Sequence, residues 1–219
     1  MKFTGMFLAV SFCCAAVVTG AENADAPATP HFVKPSSWEE FVAYQKQVGD
    51  FGTFQTQGKT VKLWEGIPGG LDYTARYGTR LAHDGQAIIT SHFMATSTGQ
   101  VISTGSGVNY WDAESKSVKS SYSGFDQGQL FTGHSTLVGI DKKNRIIKWH
   151  YTETSRGKTT EYFQTAQQIG NNRRLQTAQK VSGGDPWSEE TIRENVSEAA
   201  SATNRGTFPR LRRLLRLLR

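Results

Sequence analysis

Cysteine is missing from this chain beyond its first twenty residues, since Cys13 and Cys14 are the only two and both lie in the apolar run from Phe7 to Val18. Downstream of that run there can be no disulfide, no thiolate nucleophile and no thiolate metal ligand. The run is short and weakly flanked for a transmembrane span, and the reading that competes with cleavage is an uncleaved anchor. With Lys2 before it and Thr19, Gly20 and Ala21 after it, it reads as a secretory signal peptide of residues 1–20. This predicts an exported protein, periplasmic or secreted, that folds without disulfides.

The familiar catalytic signatures are also lacking. The chain has no Gly-x-Ser-x-Gly elbow, no phosphate-cradling glycine loop and no His-Glu-x-x-His, which removes the enzyme classes that announce themselves by a short motif. The net charge of +6 is a local effect. Setting aside Lys2 and the six arginines of residues 205–219 leaves residues 21–204 at −1. A nearly neutral body argues against nucleic acid as a partner and confines any anion-seeking surface to the tail.

What is present is mostly strand. Residues 21–35, rich in Ala, Pro, Asn and Asp, read as a flexible leader. Ser36-Ser37-Trp38-Glu39-Glu40 has the form of a capping box, and Trp38, Phe41, Val42, Gln45 and Val48 follow at helical spacing up to Gly49. From Phe51 to Val181 short alternating runs are separated by turn signals such as Asp84-Gly85, Thr98-Gly99, Asp141 to Asn144, Arg156-Gly157 and Gly170-Asn171. The expected fold is therefore mainly β, an antiparallel up-and-down meander of about ten strands that closes into a barrel because so many strands in one open sheet curl or split.

After Val181, residues 182–204 read as a linker, Ser182 to Pro186, and a second helix from Trp187 to about Ala200. In residues 205–219, Leu211, Leu214, Leu215 and Leu218 form an apolar stripe backed by arginines. An amphipathic segment of that kind, Arg210 to Arg219, suits an anionic membrane surface or an acidic partner, and the alternative at this short length is a frayed tail with no partner.

Hairpin parity assigns an interior, because residues opposed across a tight turn share a face. A turn at Lys142-Lys143 places Trp149 and Tyr151 on the face of Leu130, Thr132, His134, Thr136 and Val138. The Arg156-Gly157 turn adds Tyr162, Thr160, Gln164 and Ala166, and the Gly170-Asn171 turn adds Leu175, Thr177 and Gln179. Earlier turns align Tyr73, Tyr77, Leu81, Ile88, Thr90, His92, Met94, Val101 and Ser103, then Trp111, Val118 and Tyr122. This set holds most of the aromatics and no carboxylate, with Glu153, Arg174 and Lys180 outside and Phe93, Phe131, Ile146 and Phe163 also on the outer face. A bulge near residues 124–128 is where the phase can shift. Polar residues mixed into an aromatic interior suit a pocket better than a sealed core. The candidate ligand contacts are Tyr77, His92, His134, Trp149, Tyr151, Tyr162 and Gln164. His92 and His134 are open to several roles: bonding a ligand's polar end, ligating haem iron or another metal, acting as an acid/base pair, or simply bonding a neighbouring hydroxyl in the core.

The helix followed by Gly52-Thr53-Phe54, a cysteine-free meander with Asp84-Gly85, and Gly107-Val-Asn-Tyr-Trp111-Asp112 before a turn together resemble the lipocalin-like, calycin-type domains of exported bacterial proteins. The resemblance spans Ser36 to Val181, with Phe54 where those domains carry the tryptophan of Gly-x-Trp. It implies a barrel domain of residues 36–181 that holds a small apolar or amphipathic molecule, and it carries over no catalytic residue, metal or cofactor. The expected function is thus binding without chemical conversion. The competing expectations are a His-dependent acid/base enzyme of the cone-shaped α+β-barrel class, which needs an inward acid beside a histidine, and an interaction protein docking through its basic tail.

Overall fold

The computed structural model describes residues 29–60 and 68–196. The expected signal peptide, the first part of the expected leader, the end of the expected second helix and the Leu/Arg tail lie outside the described residues. One helix, α1 (Trp38–Gln47), precedes eleven strands. They are β1 (Gly52–Lys59), β2 (Asp72–Leu81), β3 (Ala87–Thr96), β4 (Val101–Asp112), β5 (Ser117–Asp126) and β6 (Gln129–Asp141). There follow β7 (Ile146–Ser155), β8 (Lys158–Gln168), β9 (Arg173–Lys180), β10 (Trp187–Ile192) and β11 (Glu194–Asn195). Every strand from β1 to β10 pairs antiparallel with its sequence neighbour, and β11 pairs with the free edge of β1. The result is an up-and-down sheet curled into a nearly closed barrel.

The closing element is where the sequence expectation fails. Residues 187–195 form strands, not a helix. Trp187, Glu189 and Thr191 turn to the face carrying Ala178, Gln176 and Arg174, while Ser188, Glu190 and Ile192 turn outward. The glutamates and the capping-like Trp187-Ser188-Glu189-Glu190 suggest a helix locally. Two unpaired sheet edges exert the stronger demand, because each exposes a row of unmet N–H and C=O groups. The chain satisfies both by bending at Arg193, whose N–H donates to Asn172 O at 2.7 Å. β10 covers the edge of β9, and β11 covers that of β1, where Val196 N–H reaches Thr53 O at 2.9 Å.

Helix α1 forms as its sequence dictates. The Ser37 hydroxyl accepts from Glu40 N–H at 3.3 Å, and the Glu40 carboxylate reaches back to Ser36 N–H at 2.6 Å. Gly49 takes the left-handed conformation that ends the helix, with φ of +69°. Trp38, Phe41, Val42, Tyr44 and Val48 are buried and pack on Ile88, Val118, Leu137, Ile140 and Ile147, so the helix plugs one end of the barrel. This end carries the β2–β3, β4–β5, β6–β7 and β8–β9 turns, and Trp38 Nε1–H is tied to Gly85 O at 2.6 Å. Just after the helix, Asp50 is buried and accepts from Arg174 at 2.6 Å and from Arg193 at 2.8 Å. A single carboxylate thus joins the plug to the closing corner.

The leader is not free through residue 35. β6 overhangs β5 beyond Leu137, and Val33 pairs with the exposed backbone of Ile140 through two hydrogen bonds of 3.0 and 2.8 Å. His31 N–H also donates to Asp141 at 2.9 Å.

The β6–β7 turn has the expected parity, with Asp141 opposite Ile146 and Ile140 opposite Ile147. A bulge at Val138 then inserts one residue, so that Leu137 faces Trp149 and Ser135 faces Tyr151. One extra residue sends every following side chain to the other face. Leu137, Ser135, Gly133 and Phe131 point inward, and Thr136, His134, Thr132 and Leu130 point outward. The bulge thus lies at Val138 and not near residues 124–128. The same arithmetic corrects β9: Gln168 opposes Arg174 across a loop closed by Ile169 N–H to Arg173 O. Arg174, Gln176 and Ala178 are inside in place of Leu175, Thr177 and Gln179. A second bulge at Met94/Ala95 leaves Val101 exposed and buries Ile102 in its place.

Candidate functional site

Between the helix plug and the opposite end of the barrel lie two adjoining cavities that share Ser135 and Gln164 in their walls. The one next to the helix, about 240 Å³, is lined by Asp50, Thr79, Asn109, Trp149, Gln164 and Arg174 among others. The lower one, about 310 Å³, is walled by Tyr77, His92, Met94, Tyr122, Phe131 and Tyr151, with Ser103, Asp126, Glu153 and Gln176 supplying polar groups.

The lower cavity exists because its aromatic rings lie flat on the barrel wall, and they can do so because the strands beneath carry glycine. Tyr122 covers Gly105 and Gly107, Phe131 covers Gly124, and Tyr151 covers Gly133. A Cβ at Gly105 would stand 2.8 Å from the Tyr122 ring, well inside van der Waals contact. Strand glycines permit both sharp curvature and close approach. Here they turn bulky side chains from lumen-fillers into lining. His92, Tyr122 and Phe131 continue as a stacked series, with centroid spacings of 5.6 Å and 6.0 Å.

The polar groups form a directed network. His92 Nδ1 bonds the Tyr122 hydroxyl, and His92 Nε2 lies 2.6 Å from Ser103 Oγ, which in turn bonds Asp126. One assignment satisfies every group: Tyr122 O–H donates to Nδ1, Nε2–H donates to Ser103, and Ser103 O–H donates to the Asp126 carboxylate. Tyr151 O–H donates to Glu153 at 3.0 Å, and nearby Tyr73 O–H donates to Glu189 at 2.6 Å. Burial lowers the His92 pKa to about 4, so the imidazole is neutral at pH 7. Burial also raises Asp126, Glu153 and Glu189 above the usual carboxylate range, opposed for each by the hydroxyl that donates to it. It pushes Tyr77 up to about 12 and raises Tyr122 and Tyr151 as well.

Of the residues singled out from the sequence, Tyr77, His92, Tyr151 and Gln164 meet at the lower cavity. Trp149 and Gln164 line the upper one, with the Trp149 ring edge-on to Phe41 at 6.0 Å. Tyr162 does not touch either cavity directly; it stacks on Tyr151 at 6.2 Å and supports that ring. His134 is misplaced by the Val138 bulge. It is exposed on the outer face, 3.2 Å from Ser121 Oγ, and is removed from the pocket. The expectation of an interior without carboxylates is also overturned, since Asp126, Glu153 and Glu189 all face inward. So does Arg174, and Lys180 shares the side of Tyr162 at an exposed strand end. Phe131, expected outside, lines the lower cavity, whereas Ile146 keeps the outward phase of Lys148 and His150 although it is buried. Glu153 was recoverable from the sequence, because it alternates with Tyr151 and Trp149 on β7. Ser135 and Phe131 were not, because no turn signal marks the bulge.

Both ring nitrogens of His92 are engaged by hydroxyls, and its nearest acid is held off by Ser103. The group therefore serves as a fixed polar anchor, and it lacks the direct carboxylate partner that would charge it for proton transfer. Among the described residues, no three His, Asp or Glu side chains converge as a metal site would require.

Neutral burial of His92 makes acid stability depend on it. The folded pKa of about 4 lies below the unfolded value of about 6.5, so the unfolded chain binds the extra proton between these values. Stability is then lost as pH falls through that window. The raised carboxylates act in the opposite sense, favouring the fold in acid and losing that advantage as pH rises through their shifted pKa values. Urea unfolding at pH 7 and pH 5 should therefore show His92→Gln losing about 2 kcal/mol less than the wild type over this interval. Equal losses in the two proteins would mean that His92 is not held neutral.

No protein-family model matches the chain, and no curated protein matches it.

Proposed function

We propose that this protein is an exported, lipocalin-like barrel that binds a small amphipathic molecule in its interior without converting it. The observation that carries this reading is the pairing of inward aromatics with strand glycines, which keeps the lumen open where a sealed core would be filled. Packed interiors leave few voids, whereas cavities of about 310 and 240 Å³ that adjoin one another fall in the range of small-ligand sites. Their mixture of aromatic rings with carboxyl, amide and hydroxyl groups suits an amphipathic occupant better than a purely apolar one.

The test is extraction of bound molecules from the full-length protein purified from its own host, followed by mass spectrometry, with Gly133→Ala as comparison. The three atoms nearest a methyl group at residue 133 all belong to the outer end of the Tyr151 side chain, so the ring swings into the lower cavity while the backbone keeps its place. A small molecule should accompany the wild type and be depleted several-fold in the variant. Recovery of nothing from either protein, or equal amounts from both, overturns the pocket.

A further inference from the structure

The lower cavity has a chemical polarity that narrows its occupant. Three of its hydroxyls are already spent as donors within the wall, Tyr122 to His92, Ser103 to Asp126 and Tyr151 to Glu153, while those of Tyr77 and Ser135, which line the same space, stay available. What remains facing the space is rich in acceptors, namely the free lone pairs of the Asp126 and Glu153 carboxyls and of the Tyr122 and Tyr151 oxygens. Gln164 and Gln176 are the side chains there whose amides offer donors as well. The two carboxyls are close enough for the charge of one to bear on the other, and the basic group acting on Asp126 is Arg156, in the exposed β7–β8 turn. The arginines inside the barrel, Arg174 and Arg193, stand at the other end and share Asp50. Four rings, Tyr77, Tyr122, Phe131 and Tyr151, complete the wall.

Resting on the pocket reading above, we infer that the bound molecule carries a protonated nitrogen, an amine or substituted ammonium, seated between Asp126 and Glu153 against the tyrosine faces, with its apolar part extending past Gln164 towards Trp149. An ammonium group can donate to both carboxyls at once and carries the charge they attract. The aromatic faces add a further attraction for cations that neither an alcohol nor an anion receives. An anionic headgroup placed here would face two carboxyls with no lysine or arginine in the lining to offset them.

Titration calorimetry of the full-length protein with octylamine, octanol and octanoate, matched in chain length and run at one ionic strength, tests this. Octylamine should bind at least about tenfold more tightly than octanol, a difference of about 1.4 kcal/mol, and octanoate should bind most weakly. The double variant Asp126→Asn, Glu153→Gln keeps the shape of both side chains, and its near-UV circular dichroism checks the fold. It should lose the preference for the amine while retaining octanol binding. If octanol or octanoate binds as tightly as octylamine, or if the neutralised variant keeps its preference for the amine, the cation inference is overturned and the pocket reading stands. If none of the three binds, the inference also fails, and the extraction experiment with Gly133→Ala decides whether the pocket reading falls with it.

Discussion

Replacing Phe41 with alanine should destabilise the protein by about 3–5 kcal/mol, the usual cost of deleting a fully enclosed phenylalanine. Phe41 has no exposed surface and is the largest of the fully buried side chains. Its ring stands edge-on to Trp149 at 6.0 Å and is tilted against Trp38 at 5.6 Å, so the aromatic contacts vanish along with the buried area. Neighbouring atoms are poorly placed to collapse into the gap. On one side is the rigid barrel wall of Val118, Leu137 and Ile147, and on the other is a helix held at both ends by Trp38 to Gly85 and by Asp50 to two arginines. The void therefore persists and joins the cavity beneath Trp149. Urea unfolding should give a midpoint lowered in proportion with little change in slope, and the fluorescence of Trp149 should change before unfolding begins. A loss below about 1 kcal/mol would show that α1 does not act as the plug described here.

Gly124→Ala is expected to be at least as damaging, although it adds a single methyl group. The new Cβ would collide with the backbone oxygen of Thr104 and stand 2.7 Å from Gly105 Cα, with the Phe131 ring 2.8 Å away. Gly105 and Gly124 are cross-strand partners, and at this point β4 and β5 approach too closely for either to carry a side chain. A ring can rotate, but two paired strands cannot separate without breaking their ladder. Overpacking of this kind costs about 1–3 kcal/mol when side chains can yield and more when they cannot. Gly124→Ala should therefore lose 3 kcal/mol or more, or fail to fold. Gly133→Ala, where the obstacle is the end of the Tyr151 side chain, should stay folded and lose cavity instead. Thermal denaturation of the two variants side by side separates a glycine needed for barrel curvature from one needed for an open pocket. Equal melting temperatures would erase the distinction.

Local signals in the sequence were sufficient for much of the fold. The Ser37 cap, Gly49 and the apolar spacing of Trp38, Phe41 and Val48 predict α1 to within a residue. The alternation of β2, β3, β5 and β7 places Tyr77, His92, Tyr122 and Tyr151 on one face, where they are found. Turn parity then carries that phase from strand to strand. It fails wherever a single residue is inserted without a sequence mark, as at Val138 in β6 and in the loop before β9. Those slips account for His134 leaving the pocket and for Phe131, Ser135 and Arg174 entering it. The segment from Trp187 to Asn195 failed for a different reason: its local helix signals were outweighed by pairing with two sheet edges, the neighbouring β9 and the distant β1.

By itself, then, the sequence determined a disulfide-free antiparallel meander with a capped helix at its start, because capping, turn chemistry and two-residue alternation act over a few neighbouring residues. Only the tertiary structure decided which end the helix plugs, which strand closes the barrel and which face of β6 looks inward. It also decided that Asp126 and Glu153 stand together inside. These features depend on contacts between residues far apart in the chain, and on bulges whose one-residue shift costs little locally yet reverses an entire strand.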